Sequence, residues 1–475
     1  MLYIIVLAII VATLLGVSLA RLRTVKTHAD FTVAGRRLAW PVLVFTLLSS
    51  WIGAGSLFAG GEFAFHHGFA ALWMPAGGWA GLAVIALIAG RARRFAQFTV
   101  PELIEARFNT AARVLATIAI LLAYTAITSY QFRGGGDVLH LIFPELPADR
   151  GMYIIAAFVI LFTALAGMSS VAYLDLVIGL LVSVTAIVAV PILFGRVGGW
   201  SGLQAALPPS HFQPLGDVTP WYAFGKFLPT MLLLLGNQSM YQKFFSARSE
   251  GDAKRAVAGW IIGTVILETV IVTIAVAGSA LFRDVRPHDI VPVTARLGLP
   301  PLLGAFLLGG IFAKVISTAN NYLFSPATNV VHDIYHRFIN PQAGDRRLIW
   351  TARFVIIALG VFALALQSFL PSILSMAMYA YTVYGAGITP VVLAVFFWKR
   401  ANGPGAVASI AAGTCITLAW NLLGILSARQ VLSGALADLG ARASNVDAVF
   451  PALVGSLLCL VVVSLATAPP RRQEV

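Results

Sequence analysis

An all-α polytopic membrane protein with thirteen transmembrane helices is the fold predicted for this chain, on three observations. Of its 475 residues, 59% are hydrophobic and only 11% are charged, where a soluble domain carries roughly 25% charged residues. Thirteen stretches approach the ~20 consecutive, mostly apolar residues that a helix needs to cross a bilayer. The basic residues also sort by side: alternate loops collect 22 of the 32 on one face and 7 on the other, with Arg133, Lys226 and Lys314 inside spans. The positive-inside rule then puts the N-terminus outside and the C-terminus in the cytoplasm, and the basic, glycine-rich composition without targeting extensions suggests a bacterial inner membrane. This sorting accounts for the +13 net charge without nucleic acid as a partner. No inter-span loop approaches the ~100 residues of a separate soluble domain, so the chain reads as one transmembrane unit.

The first span, 2–20, follows no basic segment and precedes Arg21 and Arg23, which marks a retained helix and not a cleaved signal. The second, 40–65, holds Gly53, Gly55, Gly60 and Gly61 and reads as broken. Hydropathy and helix breakers place the next four at 69–90, 112–142, 151–171 and 173–195. The seventh, 220–246, is interrupted by Pro229 and Gly236, with Asn237, Gln238 and Ser239 directly after. The remaining spans are 256–282, 298–328, 349–368, 370–398, 403–427 and 447–467. Cys415 and Cys459 fall inside apolar spans and provide neither a disulfide framework nor a thiolate metal site.

The two interrupted spans carry the functional argument. An unwound turn frees backbone N–H and C=O groups that lipid cannot satisfy, so such breaks persist where they line a cavity or bind an ion or substrate. Five spans separate the start of one from the start of the other, the spacing of two five-helix halves that each begin with a discontinuous helix. The alternative is that these glycines serve only close helix packing.

Several stretches, in order and on matching spans, resemble the solute:sodium symporter family. Ser49-Ser50-Trp51-Ile52-Gly53-Ala54-Gly55 resembles the family's broken first core helix, and Thr99 to Phe108 the loop before its third. Val171-Ala172-Tyr173-Leu174-Asp175 is similar to the start of the fifth, and Met240 to Ser249 to the end of the sixth. Ala313 to Thr318, followed by His332-Asp333-Ile334-Tyr335, resembles the eighth core helix and the loop beyond it. The resemblance covers about residues 25 to 400. It implies a LeuT-like five-plus-five inverted repeat, here 40–195 and 220–398, with one extra N-terminal helix (2–20) and two C-terminal ones (403–467). Around Trp51 and Glu62 the chain looks closest to the choline-transporter branch, but Asn237 stands where that branch has an aromatic residue.

By this resemblance, a sodium ion would take carbonyl oxygens from Ser49, Ile52 and residue 314 and hydroxyl oxygens from Ser317 and Thr318. Those hydroxyls could equally bond back to their own helix. The departure from the family is Lys314 itself, where a small residue is expected. On a helix, Lys314, Ser317, Thr318 and Asn321 share one face, which brings an ammonium group to the sodium position. A lysine in mid-span costs at least about 2.5–3.5 kcal/mol to insert and therefore needs a partner or a role. Its natural partner is Asp175, which by resemblance lies on the sodium exit path. Lys314 is thus expected to replace the ion, either leaving transport uncoupled or relaying a proton with Asp175. The alternatives are a snorkelling lysine or a static ion pair.

Glu62 and His66 share a helix face, and an intramembrane carboxylate is a functional candidate by default. Glu62 could meet a cationic solute or a proton, with Trp51 stacking on a quaternary ammonium; an ion pair with Arg133 and core packing of Trp51 are the alternatives. Gly53, at the first break, joins the expected solute site. Tyr124, Tyr130, Gln131, Asn237, Gln238 and Tyr241 offer neutral hydrogen-bonding groups suited to a small polar solute, or bridges between helices. Glu268 has no matched role. His332 and His336 lack a third metal ligand.

The expected function is therefore secondary transport of a small polar organic solute by alternating access. Sodium or a proton is the candidate coupling ion, no further cofactor is expected, and the bilayer and the solute are the only partners expected. An enzyme is disfavoured, because the sequence has no nucleophile paired with a base, no metal cluster and no G-x-x-x-x-G-K-[ST] phosphate loop. A ligand sensor is the third class, and it would need a partner protein, since only a few residues follow the last span.

Overall fold

In a computed structural model, residues 1–22, 36–95, 99–165, 168–367 and 372–469 are described. The loop with Arg23 and Lys26 and the tail from Arg471 lie outside these residues. Among the described residues the regular secondary structure is helical apart from one isolated bridge between Leu38 and Ala247, and turns and loops connect the helices. Among the described residues ten helices are long and apolar enough to cross a membrane, and Trp40–Trp51 is a shorter apolar helix. The expected spans that fall short of membrane length do so where the backbone is interrupted, at 40–65 and 220–246, while the first helix, Leu2–Leu22, has 21 residues.

In chain order the helices are α1 (Leu2–Leu22), α2 (Trp40–Trp51), α3 (Gly60–His67), α4 (Trp73–Phe95), α5 (Val100–Arg107), α6 (Thr110–Ile142) and α7 (Ala148–Leu165). Next come α8 (Met168–Val197), α9 (Gly199–Ala206), α10 (Pro220–Gly236), α11 (Gln238–Ser246), α12 (Glu250–Leu281), α13 (Ile290–Leu297) and α14 (Pro301–Asn329). The chain ends with α15 (Asp345–Leu366), α16 (Ile373–Gly387), α17 (Thr389–Phe397), α18 (Gly403–Ala428), α19 (Ala435–Asn445) and α20 (Val449–Ala466). Side-chain oxygens start many of these helices by accepting the free N–H groups of the first turn. Asn109 caps α6 at Ala112, Ser249 caps α12 at Asp252, and Asn402 caps α18 at Gly405.

Both interrupted spans break at a residue that leaves the helical conformation. Ile52 (φ −79°, ψ 105°) ends α2 ahead of a π-helical turn, Gly55–Ala59, that leads into α3. Asn237 (φ −57°, ψ 110°) separates α10 from α11. α14 is the most enclosed long helix and packs against α6, α8 and α2. Gly53 is required where the first break meets α14, because an added Cβ would stand 2.6–2.8 Å from the side chain of Thr318. That β-branched side chain has little freedom to retreat. Gly53→Ala is expected to destabilise by about 1–3 kcal/mol through overpacking, read as a lower unfolding temperature in detergent; an unchanged transition would show that the break can part from α14.

The 33-residue α6, about 50 Å long, measures the distance between the two ends of the molecule. Near its start, Arg107 donates to the Lys399 carbonyl and Arg337 pairs with Glu105. Toward its end, Arg286 pairs with Asp137, and beyond it Arg196 donates to the Leu297 carbonyl and Tyr3 to that of Arg296. Arg107 and Arg337, which the loop alternation assigned to one side, are thus at the other end of α6 from Arg286, which it assigned to the opposite side.

Candidate functional site

The first break, α14 and α8 meet around Lys314. Its Nζ lies 3.0 Å from Ser49 Oγ, and the residue is 1% exposed. The Thr318 hydroxyl donates to the carbonyls of Ser49 (3.0 Å) and Ile52 (3.4 Å). Ser317 donates to one oxygen of Asp175 and Thr46 to the other. Ser49 and Ser317 are 3.5 Å apart. The oxygens expected around a sodium ion are therefore gathered, with a lysine ammonium among them.

Two expectations need correction here. Lys314 and Asp175 form no direct ion pair: both oxygens of the buried Asp175 are engaged by hydroxyls, so the lysine reaches it through Ser49 and Ser317. The second concerns Lys243, counted above among loop charges. It is fully buried on α11, with Nζ 2.9 Å from Asn321 Oδ1 and 3.1 Å from Ser239 Oγ. Asn321 in turn donates to the Ser317 carbonyl at 2.9 Å, so both lysines belong to one polar cluster with Asp175. The face shared by Lys314, Ser317, Thr318 and Asn321 was legible from spacing. Lys243 was not, because three residues before the end of a span a lysine ordinarily reaches the interface.

Glu268 stands on the other side of the first break. Ser56 donates to its Oε1 at 2.8 Å, and the residue is 5% exposed. With Trp51, Gly60, Thr230 and Tyr381 it lines a cavity of about 10 Å³, room for about one water. Sequence reasoning left Glu268 unassigned, although an intramembrane carboxylate is itself a signal. Glu62 lies elsewhere, half-buried and facing Ser372, Leu374 and Arg133. Its expected neighbour His66 is exposed, and the charged groups acting on it are His67, Asp217 and His211.

The polar groups of the other expected solute residues satisfy the interrupted backbone in this conformation. Gln131 Oε1 accepts from the Ala54 amide at 2.9 Å. The Tyr124 hydroxyl donates to Asn237 Oδ1 (2.8 Å) and accepts from the Ser239 amide (3.1 Å). Asn237 Nδ2 reaches the Tyr322 hydroxyl at 3.0 Å, and the Tyr241 hydroxyl reaches the Leu235 carbonyl. Gln238 accepts from the Val100 amide. Tyr384, absent from the sequence expectations, donates to the Gly236 carbonyl at 2.7 Å and stacks on Tyr124. These contacts discharge groups that could not be left bare in lipid.

A larger cavity, about 1080 Å³, opens away from the breaks and is lined in part by Trp221, Tyr222, Lys226, Ser372, Met378 and Asp447. Its lining runs along α16 from Leu374 through Met378 to Thr382, the residue after Tyr381. The end of the molecule nearer the start of α6 is closed instead by buried charges. Arg113 pairs with Glu105 and, at 2.7 Å, with the fully buried Asp333, which also accepts from Thr99.

Comparison with known proteins gives the following. The profile of the sodium:solute symporter family matches residues 31–413. The osmoregulated proline transporter OpuE of Bacillus subtilis is 26% identical over 470 residues, covering 93% of this chain and 90% of that protein. The sodium/proline symporter of Escherichia coli is 24% identical over 443 residues, covering 87% and 86%. A solved structure of a Na+-coupled sialic acid symporter, substrate-bound and outward-open, superposes with a TM-score of 0.80 at 18% identity, over 100% of this chain and 99% of that one. At that identity the likeness is one of fold, and the fold is the LeuT-like one.

Proposed function

The chain belongs to the sodium:solute symporter family, a family of membrane transporters and not of enzymes, and on that premise we propose that it carries a small polar organic solute with Lys314 acting as a built-in substitute for sodium. The observation that carries this reading is the ammonium of Lys314, 3.0 Å from Ser49 Oγ, beside a Thr318 hydroxyl already bonded to the Ser49 and Ile52 carbonyls. A sodium ion needs those oxygens free and no competing charge. The residues do not fit it. Asp175 then serves as counter-charge to Lys314 and Lys243. Ordinary sodium symport is the second reading, and family membership favours it.

The proposed architecture is thirteen spans in two inverted five-helix repeats, 40–195 and 220–398, with helix 2–20 before them and 403–467 after. The N-terminus faces outward and the C-terminus the cytoplasm of a cell membrane, which the sorting of basic residues supports. The large cavity at Met378 is then an external vestibule, and the Arg113 cluster an internal seal. The solute binds between the breaks, where Glu268 and Trp51 supply a carboxylate and an aromatic face to an ammonium group. Two relatives carry proline, so proline and other small amino acids and betaines are the first solutes to screen.

The test is thermal stabilisation of the purified chain in detergent, followed by labelled uptake into liposomes with a sodium gradient, a proton gradient or neither. Uptake that ignores sodium supports the reading, and a strict sodium requirement overturns it. Glu268→Gln keeps a hydrogen-bonding group but loses the charge, so it is expected to weaken an ammonium ligand about fivefold, the difference between a charged and a neutral hydrogen bond. Unchanged affinity would remove Glu268 from the solute site.

A further inference from the structure

Away from the breaks, near the end of α6, three side chains meet with their free atoms turned toward one another. Asp137 is on α6, and His288 and Asp289 are in the short segment Pro287–Asp289 ahead of α13. Each carboxylate gives one oxygen to Arg286: Asp137 Oδ1 at 2.9 Å and Asp289 Oδ2 at 2.6 Å. The second oxygens accept no hydrogen bond, nor does His288 Nε2 make one. Asp137 Oδ2 and Asp289 Oδ1 stand 3.6 and 3.7 Å from that nitrogen. The side chains are 3%, 5% and 16% exposed for Asp137, Asp289 and His288. Buried polar atoms left without partners are costly and call for an explanation.

The spacing suggests one. Ligand atoms around a tetrahedral zinc ion, each about 2.0–2.2 Å from the metal, lie about 3.3–3.5 Å from one another. The observed separations from the histidine nitrogen exceed that by a few tenths of an ångström. Among the described residues, this is the group of histidine and carboxylate side chains whose ligand atoms converge in this way. We propose that Asp137, His288 and Asp289 form a site for one divalent transition-metal ion of the zinc type, with its fourth position left to water.

The surroundings favour this occupant. Imidazole together with carboxylate selects zinc and its neighbours over magnesium or calcium, which prefer oxygen alone. His288 Nε2 makes no hydrogen bond and faces the free oxygen of each carboxylate, so it is placed to give its lone pair to an ion between them. The buried carboxylates of Asp137 and Asp289 repel one another, and an incoming dication relieves that repulsion. Arg286, bonded to the outer oxygen of each carboxylate, fixes their orientation in the way that outer contacts orient metal ligands. Arg133 adds a positive charge that opposes the ion, and the two carboxylates outweigh it once a dication enters. Because Pro287–Asp289 also packs on α3, just beyond the first break, a bound ion ties that half of the broken helix to α6 and stabilises closure at this end.

The full-length protein, purified in detergent and stripped with a chelator, is titrated with zinc chloride in a non-coordinating buffer. The expected result is one zinc per chain and a higher unfolding temperature, with cobalt giving the visible absorption of a tetrahedral site. His288→Gln should lose more than about tenfold in zinc affinity, and His288→Cys, which keeps a ligand, should retain binding and shift the cobalt spectrum. Absence of stoichiometric binding overturns the proposal. So does His288→Gln binding zinc like the unsubstituted chain, which would assign the ion to surface histidines. The metal readouts need no solute, so they stand or fall separately from the transport reading.

Discussion

Replacing Lys314 with alanine is expected to make transport depend on sodium. In liposomes, the unsubstituted chain should take up its solute equally with and without a sodium gradient, whereas Lys314→Ala should be about tenfold faster with sodium, a typical coupling between two binding sites. The reason is spatial as well as electrostatic. Truncation removes the ammonium beside Ser49 and opens room among the Ser49 and Ile52 carbonyls and the Ser317 and Thr318 hydroxyls. Lys314→Met separates the two effects, because it removes the charge and keeps most of the stem. It should be inactive in either condition, with no cation in the site and no space for one. Sodium dependence in the unsubstituted chain, or sodium indifference in an active Lys314→Ala, would refute the substitution idea.

Removing Arg113 should produce the largest loss of stability of any single change considered. Its guanidinium joins Glu105 and Asp333 and donates to the His332 carbonyl. Asp333 has no exposed surface, and Arg113 is the cation paired with it. Breaking a buried pair from one side leaves a stranded charge, at a cost of about 3–5 kcal/mol. Arg113→Ala should therefore unfold at a markedly lower temperature in detergent. Adding Asp333→Asn should restore much of the loss, since the amide still bonds with Thr99 and strands no charge. A single variant as stable as the parent, or a double variant no better than the single, would show that the cluster does not hold this end together.

Transport as a function class was legible from the chain because its physical cause is local. A span survives in lipid only if it is apolar and hydrogen-bonded along its own length, so the glycines at 53–61 and the Gly236-Asn237 step announced the breaks directly. The face shared by Lys314, Ser317, Thr318 and Asn321 followed from helical periodicity alone. Glu268 was visible as a mid-span carboxylate, but its neighbours Ser56, Trp51 and Tyr381 come from other helices. Lys243 was misread because a lysine close to a span end ordinarily extends to water; here Ser239 and Asn321 hold it inside.

By itself, then, the amino-acid order determined that the chain is a polytopic helical membrane protein, where two of its spans unwind, and that an ammonium group shares one helix face with Ser317, Thr318 and Asn321. Those properties depend on residues within one or two turns of each other. Tertiary structure alone decided which groups pair across helices. It put Ser317 and Thr46, in place of Lys314, on Asp175, Tyr124 and Gln131 on the exposed backbone of the breaks, and Asp137 opposite His288 and Asp289. Partners such as Asp137 and His288 are about 150 residues apart in the chain, and no periodicity spans that distance. Their meeting is set by how the helices pack.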